Sequence, residues 1–336
     1  MGRNKMKAIL YEEFGGPAVL FVGEADRPVP QPGQVLIRVA ATSVNRPDLV
    51  QREGRYPAPK GESAILGLEV SGLVEEVGEG AGPWQPGDRV MALVAGGGYA
   101  EYAIAYAGHV IPLPDVMTFE QAACVCETYI TAYLNLFMIG GLRDGDTALL
   151  HGGGGGVNTA ALHLCSNLTP QARTIVTASP GKIERVEALG ADLVINYREQ
   201  DFAEEIRSYT QQRGVDVILD HIGGPYLASN LKALAVGGRL ICIGVTGGPK
   251  AEINLALMMV KRQQLIGSVL RSRSVEEKSD IIAAFSQSVM PFFADRTIVP
   301  LIHQVYPLAD AAEAHRSMQT SSHFGKLVLS VAPHLR

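Results

Sequence analysis

The stretch Asp146–Leu164, DTALLHGGGGGVNTAALHL, joins a short apolar run to five glycines and then to a helical pattern starting near Val157. Glycines at such a turn let the backbone approach a pyrophosphate closely, and the N–H groups and dipole of the next helix point at the anion. Five glycines alone are equally a flexible loop. The strand before and the helix after supply the context a dinucleotide site requires. Sites for NAD usually carry an acid at the end of the second strand, about twenty residues on, to hold the ribose 2′-OH. Here that strand, TIVTASPGK, ends without one and offers Ser179 and Lys182, with Arg185 one turn later. A hydroxyl and a cation suit a 2′-phosphate, so the pattern favours NADPH. Lys182 reads otherwise as a solvated helix-start residue. Tyr197, ending DLVINY, either covers the phosphate or adenine or simply edges the core.

Other reactive residue types carry less. Cys124, Cys126, Cys165 and Cys242 are not spaced as a disulfide framework, and no further ligands stand near the AACVCE run. They read as reduced apolar fillers in a reducing compartment. His151 and His221 end apolar strands and read as satisfied buried-edge histidines. Arg271 and Arg273 in RSRS form either an anion site or a solvated turn.

The elements that must position these residues fit two domains, since 336 residues exceed one ordinary domain. With 47% hydrophobic and 19% charged residues and a formal net charge of −5, the chain lacks the footprint of a nucleic-acid or anionic-membrane binder. Neither a signal peptide nor an apolar run of about 18 residues is evident, and a cytoplasmic protein is expected. The first third reads as β-structure around MKAILYEE, QVLIRVAATSV, EVSGLVEEVG and DRVMALVAG, with Pro-Gly punctuation and a short helical turn near Pro47 to Arg52. FEQAACVCETYITAYLNLFMIG reads as one long buried helix, with Thr118 and Gln121 in capping-box positions. Strands and helices then alternate, LASNLKALAVGG being read as a helix and RLICIGV as the strand after it. Such alternation specifies a parallel sheet with helices on both faces. The last seventy residues are of mixed character and end in the strand GKLVLSV.

Taken together, MKAILYEEFGGP, VNRPDLVQREGRYPAP, ILGLEVSGLVEEVGEG, PGDRVMAL, LDHIGG, VLRSRS and FGKLVL resemble zinc-independent quinone oxidoreductases of the medium-chain dehydrogenase/reductase superfamily. The stress-inducible branch is the most similar. The resemblance runs from about Met6 to Val331. It implies an α/β protein with a GroES-like domain split over 1–123 and 267–336 and a doubly wound Rossmann domain over 124–266. It also implies a homodimer joined through Rossmann edge strands, and NADPH in the interdomain cleft. Carried over by motif, the cofactor contacts are Tyr56, Gly153, Gly155, Gly156, Val157, Ser179, Lys182, Tyr197, Gly244, Thr246, Leu270, Arg271 and Lys326. The turn departs from the family pattern. Gly155 replaces a serine, and Asn158 replaces a glycine that permits close helix–strand packing.

Zinc-dependent relatives carry a Gly-His-Glu block where this chain has Gly67-Leu68-Glu69, and the four-cysteine structural zinc lobe is absent from the sequence. Without a Lewis acid an alkoxide is hard to stabilise. Hydride transfer to a quinone or enone, whose product charge is already delocalised, needs little beyond positioning and desolvation. Asn45 is a candidate to hydrogen-bond cofactor or acceptor, or is a turn residue before a helix. Tyr56 either donates a hydrogen bond or proton to the developing oxyanion or lies as a lid over nicotinamide. Quinone reduction leads the readings. Reduction of unsaturated ketones or enoyl thioesters, with Tyr56 as donor, is the alternative, and a non-catalytic cofactor-binding role is the third.

Overall fold

The computed structural model describes residues 5–335; Met1 to Asn4 and Arg336, which the sequence reading put in the first domain, lie outside the described residues. Contacts divide the chain into two compact units, Met1–Ile130 with Arg271–Arg336, and Thr131–Leu270.

The first unit begins with the antiparallel pair β1 (Lys5–Leu10) and β2 (Phe21–Asp26). Then come β3 (Gln34–Val44), helix α1 (Arg46–Arg52), β4 (Glu69–Val77), β5 (Arg89–Leu93), β6 (Tyr102–Tyr106), β7 (Val110–Pro112) and the short helix α2 (Phe119–Ala122). Helix α3 (Thr128–Tyr133) leads into the second unit. There β8 (Thr147–His151), α4 (Gly156–Leu168), β9 (Arg173–Ala178), α5 (Ile183–Glu187), β10 (Leu193–Asn196), α6 (Phe202–Tyr209), β11 (Val215–Asp220), α7 (Leu227–Ala233), β12 (Leu234–Cys242), α8 (Leu255–Val260) and β13 (Gln264–Gly267) alternate. The chain returns to the first unit with α9 (Val275–Ala294), β14 (Ile302–Pro307), α10 (Ala311–Gln319) and β15 (Lys326–Ser330).

The second unit is a six-stranded parallel sheet in the order β10-β9-β8-β11-β12-β13. The strand order reverses between β8 and β11, and in such sheets ligands bind outside the carboxyl ends of the strands at that point. The first unit's larger sheet runs β14-β15-β3-β4-β5-β7, with β6 also on β3. The apolar run of β3 covers both of its faces, so Val35, Ile37 and Val39 join one core with Val70, Val74 and Val90. Val44 joins another with Tyr99, Met318, Leu327 and Leu329. Among the described residues no helix is long and apolar enough to cross a membrane.

Two expectations are corrected. The helix read over 119–140 is broken after Ala122, resumes at Thr128 and widens into a π-helical turn at Leu134–Ile139. The interruption has a polar cause: the Glu127 N–H donates to Glu69 Oε2 at 2.9 Å instead of to the preceding helical turn. The helix read through LASNLKALAVGG stops at Ala233, because Leu234 is extended and pairs with Val215. The last seventy residues are mixed, as read: they contain the twenty-residue helix α9, opened by a Ser274–Glu277 capping box, and end in β15.

A buried polar chain fixes α1 against the sheet. Arg52 Nη1 can only donate, so His315 Nδ1 accepts at 2.9 Å and the ring proton sits on Nε2. That proton is donated to Tyr99 Oη at 3.1 Å, and the Tyr99 hydroxyl donates to Asp48 Oδ2 at 3.2 Å. Asp48 also accepts from the N–H groups of Asn45 and Gly67 at 2.8 and 3.0 Å. Burial, then the Arg52 charge, pushes the His315 imidazole down to about 3, so it stays neutral in this chain. Tyr99→Phe removes the hydroxyl that joins both halves. It should lower the unfolding free energy by about 1–3 kcal/mol, read from the urea midpoint at unchanged m-value.

Candidate active site

The glycine turn of the second unit is built for close approach. Gly152 has φ +82°, a left-handed conformation, and its N–H donates to the Thr177 carbonyl at 3.0 Å. A Cβ on Gly154 would stand 2.4 Å from Cδ and 3.0 Å from Nζ of Lys182, so the Lys182 chain folds onto the turn itself. Helix α4 starts with Gly155 as its N-cap, and the N–H groups of Gly156, Val157 and Asn158 lack intrahelical acceptors by position. Asn158 does not open the packing. Its amide donates to the carbonyls of His151 and, at 2.9 Å, Gly152, bracing strand end to helix. His151 is fully buried between Thr177 Oγ1 at 3.0 Å and Asn230 Oδ1 at 2.7 Å, and burial pushes it down to about 3.

Around this turn, Ser179 is the N-cap of the single 3-10 turn Pro180–Lys182 that carries Lys182. Tyr197 is 39% exposed just beyond β10. Gly153 is buried and Gly244 half-buried, while Thr246 is exposed with its hydroxyl donating to the His221 carbonyl at 3.0 Å. Leu270 is buried.

In the first unit, the C-terminal end of β3 meets the N-terminal ends of β4 and β15. Glu69 opens β4, Lys326 opens β15, and Asn45 caps α1 just after β3. Lys326 Nζ donates to Glu69 Oε1 at 2.9 Å, Asn45 Oδ1 at 2.6 Å and the Val44 carbonyl at 3.3 Å. Glu69 Oε1 also accepts from Asn45 Nδ2 at 2.9 Å and Ser43 Oγ at 2.6 Å. Lys326 is 4% and Glu69 0% exposed. The structure therefore places Asn45 and Lys326, both read as candidates to reach cofactor or acceptor, in contact with each other and with Glu69.

The same unit holds a second polar cluster. Arg271 is buried, not the solvated turn that RSRS allowed; its Nε donates to the Ala95 carbonyl at 2.8 Å and Nη2 to Gln51 Oε1 at 2.7 Å. Its guanidinium carbon lies 5.3 Å from the Tyr56 ring centroid. Lys278 Nζ donates to the Arg271 carbonyl at 3.3 Å. The Tyr56 hydroxyl is pushed up by burial, which the Arg271 charge opposes. The Glu127 carboxyl is pushed up to about 8 by burial and then by the Glu69 charge. Sequence reasoning missed Glu127, Gln51 and Lys278. For Glu127 a signal was present, since it is the one charged residue between Gln121 and Leu142.

Among the described residues no three His, Cys, Asp or Glu side chains come together as a metal site. Cys124 and Cys126 are buried, and burial pushes both thiols up.

Residues 31–115 match the family model described as alcohol dehydrogenase GroES-like domain, and residues 189–329 match that of zinc-binding dehydrogenase. The chain is 33% identical to a rat quinone oxidoreductase (Rattus norvegicus) over 331 residues, 98% of each chain. A mycobacterial structure complexed with NADPH superposes with a TM-score of 0.87 at 31% identity, covering 97% of this chain and 100% of the other. The CurK enoyl reductase superposes at 0.85 and 28% identity, covering 97% and 99%. The chain belongs to the quinone oxidoreductases of the medium-chain dehydrogenase/reductase superfamily, with a GroES-like and a Rossmann domain, and it is a nicotinamide-dependent oxidoreductase.

Truncating one partner of a buried ion pair strands the other charge. Lys326→Met should cost about 3–5 kcal/mol in unfolding free energy. Adding Glu69→Gln should recover much of that loss, as a double-mutant cycle in urea will read.

Proposed function

We propose that this quinone oxidoreductase family member transfers hydride from NADPH to quinones without zinc. The observation that carries the reading is the Lys326 ammonium seated on the Glu69 carboxylate. The one acid retained from the metal-binding block of zinc-dependent relatives already receives four donated hydrogen bonds, one of them from a cation. A divalent ion there would have to displace the ammonium at close range. Conjugated acceptors, whose product charge is delocalised, suit a site that offers hydrogen bonds in place of a Lewis acid.

NADPH over NADH is supported by Ser179 and Lys182 at the end of β9, where no carboxylate stands to hold a 2′-OH. Lys182 would pair with the 2′-phosphate from its place against Gly154, and the free N–H groups of Gly156 and Val157 would hold the pyrophosphate. The bound cofactor supplies the hydride; the protein fixes it, excludes water and answers the charge formed on the acceptor. A second reading, reduction of enones or enoyl thioesters, is favoured by Tyr56 beside Arg271 and by the likeness to an enoyl reductase. A homodimer fits the second unit. Among the described residues β13 is an edge strand paired with β12 alone, and Leu265 on it is 42% exposed, with Met259 and Val260 at 75% and 78% just before it.

NADPH absorbance should fall when chelator-treated enzyme meets para-benzoquinone or phenanthrenequinone, and more slowly with NADH. Turnover with an enoyl thioester but neither quinone would select the second reading. Lys182→Ala should raise KM for NADPH by about tenfold and leave KM for NADH nearly unchanged.

A further inference from the structure

Arg271 and Lys278 are two cations buried in contact within the first unit, at 7% and 5% exposure. Taking an ion out of water is costly, so buried charges ordinarily sit against an opposite charge. Other cations of this unit obey that rule: Lys326 sits on Glu69 at 2.9 Å, and Arg273 pairs with Glu277 at 3.5 Å. Arg271 and Lys278 do not. Among the described residues no carboxylate forms an ion pair with either, and the groups that receive their hydrogen bonds are neutral. Arg271 Nε donates to the Ala95 carbonyl at 2.8 Å and Nη2 to Gln51 Oε1 at 2.7 Å, while Lys278 Nζ donates to the Arg271 carbonyl at 3.3 Å.

The third guanidinium nitrogen, Nη1, is buried and has no hydrogen-bond partner. Its direction is set by the anchors of the other two, because the guanidinium is a rigid planar fork. Gln51 is itself fixed. It is 3% exposed, and its amide donates to the Ala64 carbonyl at 2.9 Å and to Tyr11 Oη at 3.4 Å, which keeps Oε1 turned to Arg271. A buried donor left unpaired is costly, so Nη1 is held for an acceptor that the chain does not supply. The half-buried Tyr56 ring, its centroid 5.3 Å from the guanidinium carbon, adds apolar surface at the same place. Burial pulls the Lys278 ammonium down from the ordinary lysine value, against the Glu62 and Glu127 charges, and an anion at Arg271 would also favour its charged form.

We propose that Arg271 Nη1 and Lys278 form a binding site, within the first unit, for a planar organic carboxylate. One carboxylate oxygen accepts from Nη1, and the Lys278 ammonium, seated on the Arg271 carbonyl, adds a second positive charge. The Tyr56 ring covers the apolar body of the ligand. A single nitrogen donor suits a carboxylate, whereas a phosphate or sulfate would keep most of its oxygens unpaired there. The site goes beyond the reduction of quinones and does not depend on it.

Calorimetric titration of the cofactor-free wild-type protein with benzoate and with benzamide tests this, since the two ligands differ chiefly in charge. Benzoate should bind about tenfold more tightly, the worth of one charge-assisted hydrogen bond over a neutral one. Arg271→Gln and Lys278→Met should each bring that ratio towards one. The second measurement uses the wild type alone, so it stands even where a variant at a buried position does not fold. Crystals soaked in 4-bromobenzoate, with the bromine located by anomalous scattering, should place the carboxylate within about 3.2 Å of Arg271 Nη1. Equal affinities for benzoate and benzamide would overturn the proposal. So would a carboxylate seated away from Arg271, or an undiminished preference in both folded variants. None of these results bears on hydride transfer, so the site and the functional reading fail separately.

Discussion

Taking a carboxylate and an ammonium out of water costs several kcal/mol per ion, recovered only when the pair is close and its remaining hydrogen-bonding capacity is filled. Glu69 and Lys326 meet both conditions. The carboxylate receives Lys326, Asn45, Ser43 and the Glu127 N–H, and the ammonium is shared among Glu69, Asn45 and the Val44 carbonyl. Because these residues begin β4 and β15 and follow β3, the pair ties three adjacent strands at one end of the sheet. A one-residue slip would move every side chain of a strand to the other face and break the pair as well. The same contact interrupts the helical run after Ala122, since the Glu127 N–H is drawn to Glu69.

In the second unit the constraint is backbone access. Five glycines leave the turn bare, yet it is not loose. Gly152 is bonded to Thr177, and Asn158 reaches back to the carbonyls of His151 and Gly152. Asn158 thus substitutes hydrogen bonds for the close packing that glycine would allow.

The doubly wound sheet was legible in the sequence because apolar strands and amphipathic helices alternate with short punctuation. So were the glycine turn and the buried role of His151. What misled was periodicity taken without tertiary partners. The apolar run 119–140 has no Pro or Gly before Gly140, and nothing local announces that Glu69, some sixty residues upstream, will break it. Leu234 likewise leaves its helix only because Val215 offers a strand partner. Arg271 in RSRS reads locally as either an anion site or a solvated turn; Gln51 and Ala95, far away in sequence, hold it buried. Asn45 was read as a polar candidate and Lys326 was carried over by motif, and the structure supplies what spacing could not, the carboxylate that joins them.

The proposed reaction is direct hydride transfer from NADPH to a conjugated acceptor without a metal. Its most direct test is a single-turnover comparison of NADPH with NADPH deuterated at nicotinamide C4, using chelator-treated enzyme. A 2-enone acceptor should carry the deuterium in its product, and NADPH oxidation by it or by a quinone should slow on deuteration. Deuterium lost to solvent, or oxidation that stops on chelation and returns with zinc, would contradict the account.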